Sequence, residues 1–331
     1  MKQSITIILG LLIATVFVAS CKKDDENVTL KNEFIKRTVS PLIVGERIEI
    51  AYGAGSTNGG LNTMQVVASI PGATGTAFET VTHRTVSAAD ITKTVATSSV
   101  TNGATSTATL IDTNATTLRY IYIIPEAARG QQVSFAFSVT NKAGAQASTN
   151  TPAYPISKMD MARNITMVGT AAGARYFSIA DMKAYTQAEV DAGNLSAKID
   201  FVYAYAATIT PTTTAYTYGH SLVSPAASAY FPAGFTIPAA WTKNNTPMER
   251  KIGSTLYDGQ LKNDANSNIY VDDLDLKQQD FTGSANYAIN FAGDGSVFMK
   301  TADGKYTAFV YINSVSTTGP TAIVSIKRYQ N

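Results

Sequence analysis

Val133-Ser134-Phe135-Ala136-Phe137-Ser138-Val139-Thr140-Asn141-Lys142-Ala143-Gly144 sets apolar side chains on every second residue and then stops in a polar turn. Val133, Phe135, Phe137 and Val139 fall on one face, with Ser and Ala on the other. A period of two over seven residues predicts a half-buried strand, and Asn-x-x-Gly predicts the reversal after it. The pattern recurs on both sides. In 43–52, Ile48 and Ile50 flank Glu49; in 117–124, Leu118, Tyr120 and Tyr122 alternate. Residues 64–70 read as a strand ended by Pro71-Gly72, and 105–111 and 145–149 read as two more. Gly53-Ala54-Gly55 and Asn58-Gly59-Gly60 punctuate as turns. Residues 76–99 are ambiguous, with a helical turn expected at Ser87-Ala88-Ala89-Asp90. Short strands with turn signals every eight to twelve residues predict a β-sandwich over 33–150.

Asn150-Thr151-Pro152-Ala153-Tyr154-Pro155 predicts an extended connector over 151–158. Beyond it, 159–331 predicts a second unit. Ile199, Phe201, Tyr203 and Tyr205 share a face in 198–206. Thr186-Gln187-Ala188-Glu189 has the spacing of a capping box, with Gly193 as the helix stop. Ser224-Pro225 predicts a short helix reaching Tyr230. Strands are expected at 288–291 and 297–300, the second joined through Asp303-Gly304 to 306–312, and a last strand at 322–329. The expected fold class is mainly all-β: a sandwich followed by a second sandwich or jelly-roll-like unit with short helical insertions.

The chain of 331 residues is 45% apolar and 15% charged, with a net charge of +2. That composition can fill a core and offers no basic field for nucleic acid. The first twenty residues carry a positive Lys2, an apolar run at 5–18 and small residues at Val18-Ala19-Ser20, the pattern of a secretory signal. The lone cysteine, Cys21, follows at once. Val18-Ala19-Ser20-Cys21 resembles the bacterial lipobox, in which the cysteine is lipidated and holds the mature protein to membrane lipid; ordinary secretion with a stray thiol is the alternative. Lys22-Lys23-Asp24-Asp25-Glu26-Asn27 in the tether 21–32 resembles the acidic signal that exports Bacteroidetes lipoproteins to the outer face of the outer membrane.

Two broader resemblances follow. The strand and turn at 133–144 resemble the closing hairpin of bacterial Ig-like and PKD-type domains, without the cysteines of antibody domains. Lys198-Ile199-Asp200-Phe201-Val202-Tyr203, Ser224-Pro225, Trp241-Thr242-Lys243-Asn244-Asn245-Thr246 and Val297-Phe298-Met299-Lys300-Thr301-Ala302-Asp303-Gly304-Lys305 occur in an order that resembles a β-rich domain of Bacteroidetes surface lipoproteins. The resemblance implies a cell-envelope lipoprotein of the glycan-binding or adhesive kind and carries no functional residue with it.

Little in the chain suggests catalysis. His83 and His220 are its two histidines, in different units, and no His-Glu-x-x-His, Gly-x-Ser-x-Gly or P-loop occurs. His220 reads as a structural histidine. Asp264, Asn266, Asn268, Asp272 and Asp275 fall at positions one, three, five, nine and twelve of a loop, the spacing that wraps calcium in oxygen ligands. Ile269 stands where the sharp-turn Gly belongs, and Asp275 replaces the usual Glu. The alternative is a polar turn entering a strand, in which Asp273 and Asp275 would share a face about 6–7 Å apart. Tyr203, Tyr205, Tyr216, Tyr218, Tyr230, Phe231, Phe235 and Trp241 crowd one region. Tyr203 and Tyr205 are expected in the core. Trp241, Tyr216 and Tyr218, assisted by Lys243 and Asn244, are the expected sugar-stacking set. The leading expectation is a non-catalytic surface lipoprotein that binds a glycan. A protein-binding adhesin or envelope subunit is the second, and a carbohydrate-active hydrolase the third.

Overall fold

The computed structural model describes residues 30–86, 89–205, 219–251, 257–264 and 266–331. The signal segment, Cys21, Tyr216 and Tyr218 lie outside the described residues. The chain is mainly β, and its strands form antiparallel sandwiches.

In the N-terminal sandwich, one sheet orders Leu30–Lys36, Arg47–Ser56, Ala115–Ile123 and Ala77–Phe78. The other orders Gln146–Asn150, Phe135–Asn141, Leu61–Ala68, Thr105–Leu110 and Ala96–Asn102. The alternating residues of the two sheets meet face to face. Phe137 sits 4.7 Å from Tyr52 and 5.9 Å from Tyr120, ring centre to ring centre, and all three are buried. Asn141 locks the turn after its strand, because its side chain accepts from the Ala145 N–H at 2.8 Å and donates to Asn58 O at 2.8 Å. The expected helical turn near Ser87 is replaced by a hairpin of Val81–Val86 with Ala89–Thr94. Residues 87 and 88 themselves fall outside the described residues. β-branched residues at 81, 82, 85, 86, 91, 92 and 94 favour the pleated backbone over a helical one.

The connector is not a free spacer. Tyr154–Pro155 pairs with Gln132–Val133, the Ile156 N–H donates to Gln131 O at 2.8 Å, and Ile156 is buried in the first core.

The C-terminal sandwich has two five-stranded sheets. One runs Asp160–Val168, Thr321–Gln330, Tyr306–Val315, Gly295–Lys300, Met248–Lys251. The other runs Lys183–Tyr185, Tyr176–Ser178, Phe201–Tyr205, His220–Val223, Tyr287–Phe291. Phe177, Phe201, Tyr203, Val310, Val324 and Ile326 fill the space between them. Each sheet is also covered on its outer face, which explains strands such as Phe201–Tyr205 and Gly295–Lys300 that lack alternation. Helix α1, Gln187–Gly193, and the loops around Phe231, Ile237 and Trp241 cover the second sheet. Helices α2, Gly259–Lys262, and α3, Asp273–Gln278, cover the first.

The capping box forms as expected: Thr186 Oγ1 accepts from the Glu189 N–H and Glu189 returns to the Thr186 N–H. The stop is Asn194 in the left-handed region (φ 49°), one residue past Gly193. Ser224-Pro225 does not open a helix. Ser224 Oγ instead donates to Asn244 O at 2.5 Å, and a 3₁₀ turn forms later at Ser228–Tyr230. Asp273 and Asp275 lie on helix α3, not on a strand, because Asp272 caps that helix.

The outer cover of the first sheet is shared with the N-terminal sandwich. Ile43 is buried among Met159, Leu261, Val271 and Tyr311. Around it Arg163 grips Glu46 with two bonds of 2.9 and 2.8 Å, and Gln260 donates to Pro41 O at 3.1 Å.

Candidate functional site

Ile199 and Phe201 bury into the C-terminal cores and carry Asp200 between them. The Asp200 backbone N–H donates to Phe177 O at 2.8 Å, and its Oδ2 accepts from the Ile179 N–H at 2.7 Å. Its residue surface is only 4% exposed. Burial raises the Asp200 carboxyl to about 7, with Asp303 and Asp181 adding repulsion. At neutral pH such a group opposes folding, because the ionised form is poorly solvated there.

Asp200 lines a cleft of about 450 Å³. Ala197, Lys198 and Asn244 line it, together with the hairpin turn from Thr301 to Tyr306. The turn is held by its own chemistry. Asp303 Oδ1 accepts from Thr301 Oγ1 at 2.7 Å and the Lys305 N–H at 3.0 Å, while Gly304 takes φ +73°. The Thr301 hydroxyl, the Lys305 N–H and the Lys305 ammonium hold the Asp303 carboxyl at about 2. Tyr306 supplies an aromatic surface, backed on one face by the Arg328 guanidinium 4.8 Å from its ring centre. A volume of a few hundred Å³ with polar groups converging on an aromatic surface suits a small polar ligand.

The expected binding residues divide. Asn244 lines this cleft, and its amide donates to Ala197 O and Ile199 O at 2.9 Å each, tying the loop to the wall. Lys243 is exposed on the same loop. Trp241 is half-buried, with its indole N–H donating to Asp191 Oδ1 at 2.7 Å and its ring edge-on to Tyr176 at 4.9 Å. It closes the outer core of the sheet and steadies the loop that bears Asn244.

Three of the expected calcium ligands, Asp264, Asp272 and Asp275, accept hydrogen bonds from within the chain. Asp264 accepts from Tyr257 Oη and from the Asn266 N–H at 2.9 Å. Asp272 accepts from the Leu274 and Asp275 N–H groups, and Asp275 accepts from the Asp272 N–H at 2.9 Å. Asn268 lies at the junction of the two sandwiches, beside Tyr270 and Asp272.

His220 is a core residue. Its Nε2 donates to Ser316 O at 2.7 Å, since a carbonyl only accepts, and its Nδ1 accepts from Tyr203 Oη at 2.5 Å.

Sequence reasoning missed Asp200. Ile199 packs with Val202 and Ala204, not with Phe201 and Tyr203 as the alternation predicts, and Asp200 lies just before the strand.

Residues 27–156 match the family described as "Domain of unknown function (DUF4466)", and residues 157–331 match "Domain of unknown function (DUF8576)". The crystal structure of a DUF4466 family protein from Parabacteroides merdae ATCC 43184 is 38% identical, covers 92% of this chain and 99% of its own, and superposes with a TM-score of 0.81. The chain belongs to the DUF4466 and DUF8576 families. The family boundary falls inside the packed connector, between Ile156 and Ser157. The chain also shows similarity to the major pilin subunit of Bacillus cereus, at 9% identity, a TM-score of 0.26, and coverage of 90% of this chain and 65% of that one. With the sporulation control protein Spo0M of Bacillus subtilis the values are 9%, 0.22, 39% and 49%. No curated protein matches the chain.

Proposed function

We propose that this DUF4466 protein is a lipid-anchored surface protein of the Bacteroidetes outer membrane whose C-terminal sandwich binds a glycan in the Asp200 cleft. Cys21 carries the lipid, and the N-terminal sandwich acts as an Ig-like spacer. The observation that supports binding at the cleft is Asp200 itself. A carboxylate that opposes folding is kept in the lining of a polar opening beside an aromatic ring, where a ligand can reward it. Asp303 lines the same cleft but has its oxygens engaged by Thr301 and Lys305. A hydrolase would need a second carboxylate ready to take or give a proton, so recognition fits the pair better than turnover.

Affinity electrophoresis of the mature protein through gels containing different polysaccharides tests the reading. Retardation that disappears in Asp200→Asn supports it. Equal mobility of both proteins in every gel rejects it. The anchor is tested separately: Cys21→Ala is expected to move the protein from the membrane fraction to the soluble one, and continued membrane retention would overturn that part.

A further inference from the structure

The charges around the cleft do not balance. Lys198 Nζ lies 3.1 Å from Asp181, and Lys305 Nζ lies 3.0 Å from Asp303. Arg328, behind Tyr306, lies 2.7 Å from Asp160. Asp181 also accepts from Tyr185 Oη at 3.0 Å. Every cation facing the cleft therefore has a carboxylate of its own. Asp200 is left with one backbone N–H and no cation within ion-pair distance among the described residues. Lys198 and Lys305 line the opening together with Asp200 and Asp303, but Lys198 is paired with Asp181 outside the lining and Lys305 with Asp303, so the unmatched carboxylate is the buried one.

We infer that the Asp200 cleft recognises a ligand through a primary ammonium group, so that the glycan it takes is an amino sugar with a free amine. This rests on the glycan reading above and names the chemistry of its ligand. An ammonium placed against Asp200 supplies the missing countercharge inside a poorly solvated pocket, where a charge-assisted hydrogen bond is strongest. Asn244, whose amide hydrogens go to Ala197 O and Ile199 O, presents its side-chain carbonyl to a ring hydroxyl, and Tyr306 offers a ring face. An acetylated amine is neutral and bulkier and loses the pairing. The selectivity comes from leaving a buried charge unpaired when the wrong ligand binds.

The mature full chain is titrated at pH 7 with glucosamine, with N-acetylglucosamine and with putrescine, and binding is read by calorimetry and by the fluorescence of Trp241, the single tryptophan, which shares a loop with Asn244. Glucosamine is expected to bind at least about tenfold more tightly than N-acetylglucosamine. That preference is expected to vanish in Asp200→Asn, whose folding is checked by its melting curve, and at pH 5 in the wild type. Equal binding of the two sugars overturns the ammonium assignment and leaves the glycan reading intact. Binding of putrescine with neither sugar bound keeps the ammonium and overturns the glycan. Absence of all three overturns both.

Discussion

Lys327 Nζ donates to Asp258 Oδ2 at 2.7 Å, with both side chains fully shielded from solvent. The same ammonium donates to Val271 O at 2.8 Å, and Asp258 accepts from the Leu261 and Val271 N–H groups. One buried ion pair thus fastens the segment from Asp258 to Val271 onto the last strand. Burial draws the Lys327 ammonium below its usual range, and Asp258 opposes that shift.

Removing one partner strands the other. Lys327→Met is expected to lower unfolding free energy by about 3–5 kcal/mol, measured by urea denaturation, because Asp258 is left as an unmatched buried charge. The double variant Lys327→Met with Asp258→Asn is expected to recover part of the loss, since Asn retains an acceptor for the helix α2 cap. A double variant no more stable than the single one would show that the ion pair is not the source.

Asp200 is expected to weaken the free protein at alkaline pH. Its folded pKa of about 7 lies above the ordinary carboxylate value, so its favourable contribution is complete below about pH 4 and is lost as pH rises through 7. Asp200→Asn should therefore be more stable than wild type at pH 8, by about 2–4 kcal/mol, with the advantage shrinking towards pH 4. Melting curves across pH 4–8 measure this. A wild type as stable as the variant at pH 8 would contradict it.

His220 acts in the opposite direction. Burial lowers its pKa, outweighing the Ser316 carbonyl, so the unfolded chain takes the proton first. Stability is then lost as pH falls from about 6.5 through the folded value. In wild type the Asp200 gain masks this loss over the same range. The Asp200→Asn protein should expose it as a fall in melting temperature between pH 7 and 5, and adding His220→Gln should flatten that fall. A single variant with no acid slope would rule out the assignment.

The loop at 264–275 is expected to behave as a capped turn. Asp272→Ala should cost about 1 kcal/mol through loss of the α3 N-cap. Calcium and chelator should leave the wild-type melting temperature unchanged, because Asp272 and Asp275 already accept backbone N–H groups. A calcium-dependent rise in melting temperature would show that those bonds yield to a cation.

The N-terminal sandwich was the readable part. Phe135 and Phe137 alternate with residues that face outward, so pattern and burial coincide. The C-terminal strands were harder, because Phe201–Tyr205 alternates in sequence yet is covered on both faces, and alternation alone does not reveal the second cover. Asp200 was hidden for the same reason: an acid beside an apolar run reads as solvent-facing until a second layer is known. The aromatic crowd around Trp241 was visible, but its division between packing and binding was not. The indole N–H finds Asp191 fifty residues earlier, a pairing that spacing cannot reveal.

Local rules settled the strand alternation at 133–140, the Asn141 turn, the Thr186–Glu189 cap and the Asp303-Gly304 reversal, because each depends on backbone groups within a few residues. Long-range packing decided where the charges went. It placed Lys327 inside, beside Asp258 sixty-nine positions away, and set Asp200 and Asp303 about one cleft opening. A charge is tolerated in a protein interior only through partners brought by the whole fold, and those partners are distant in the chain.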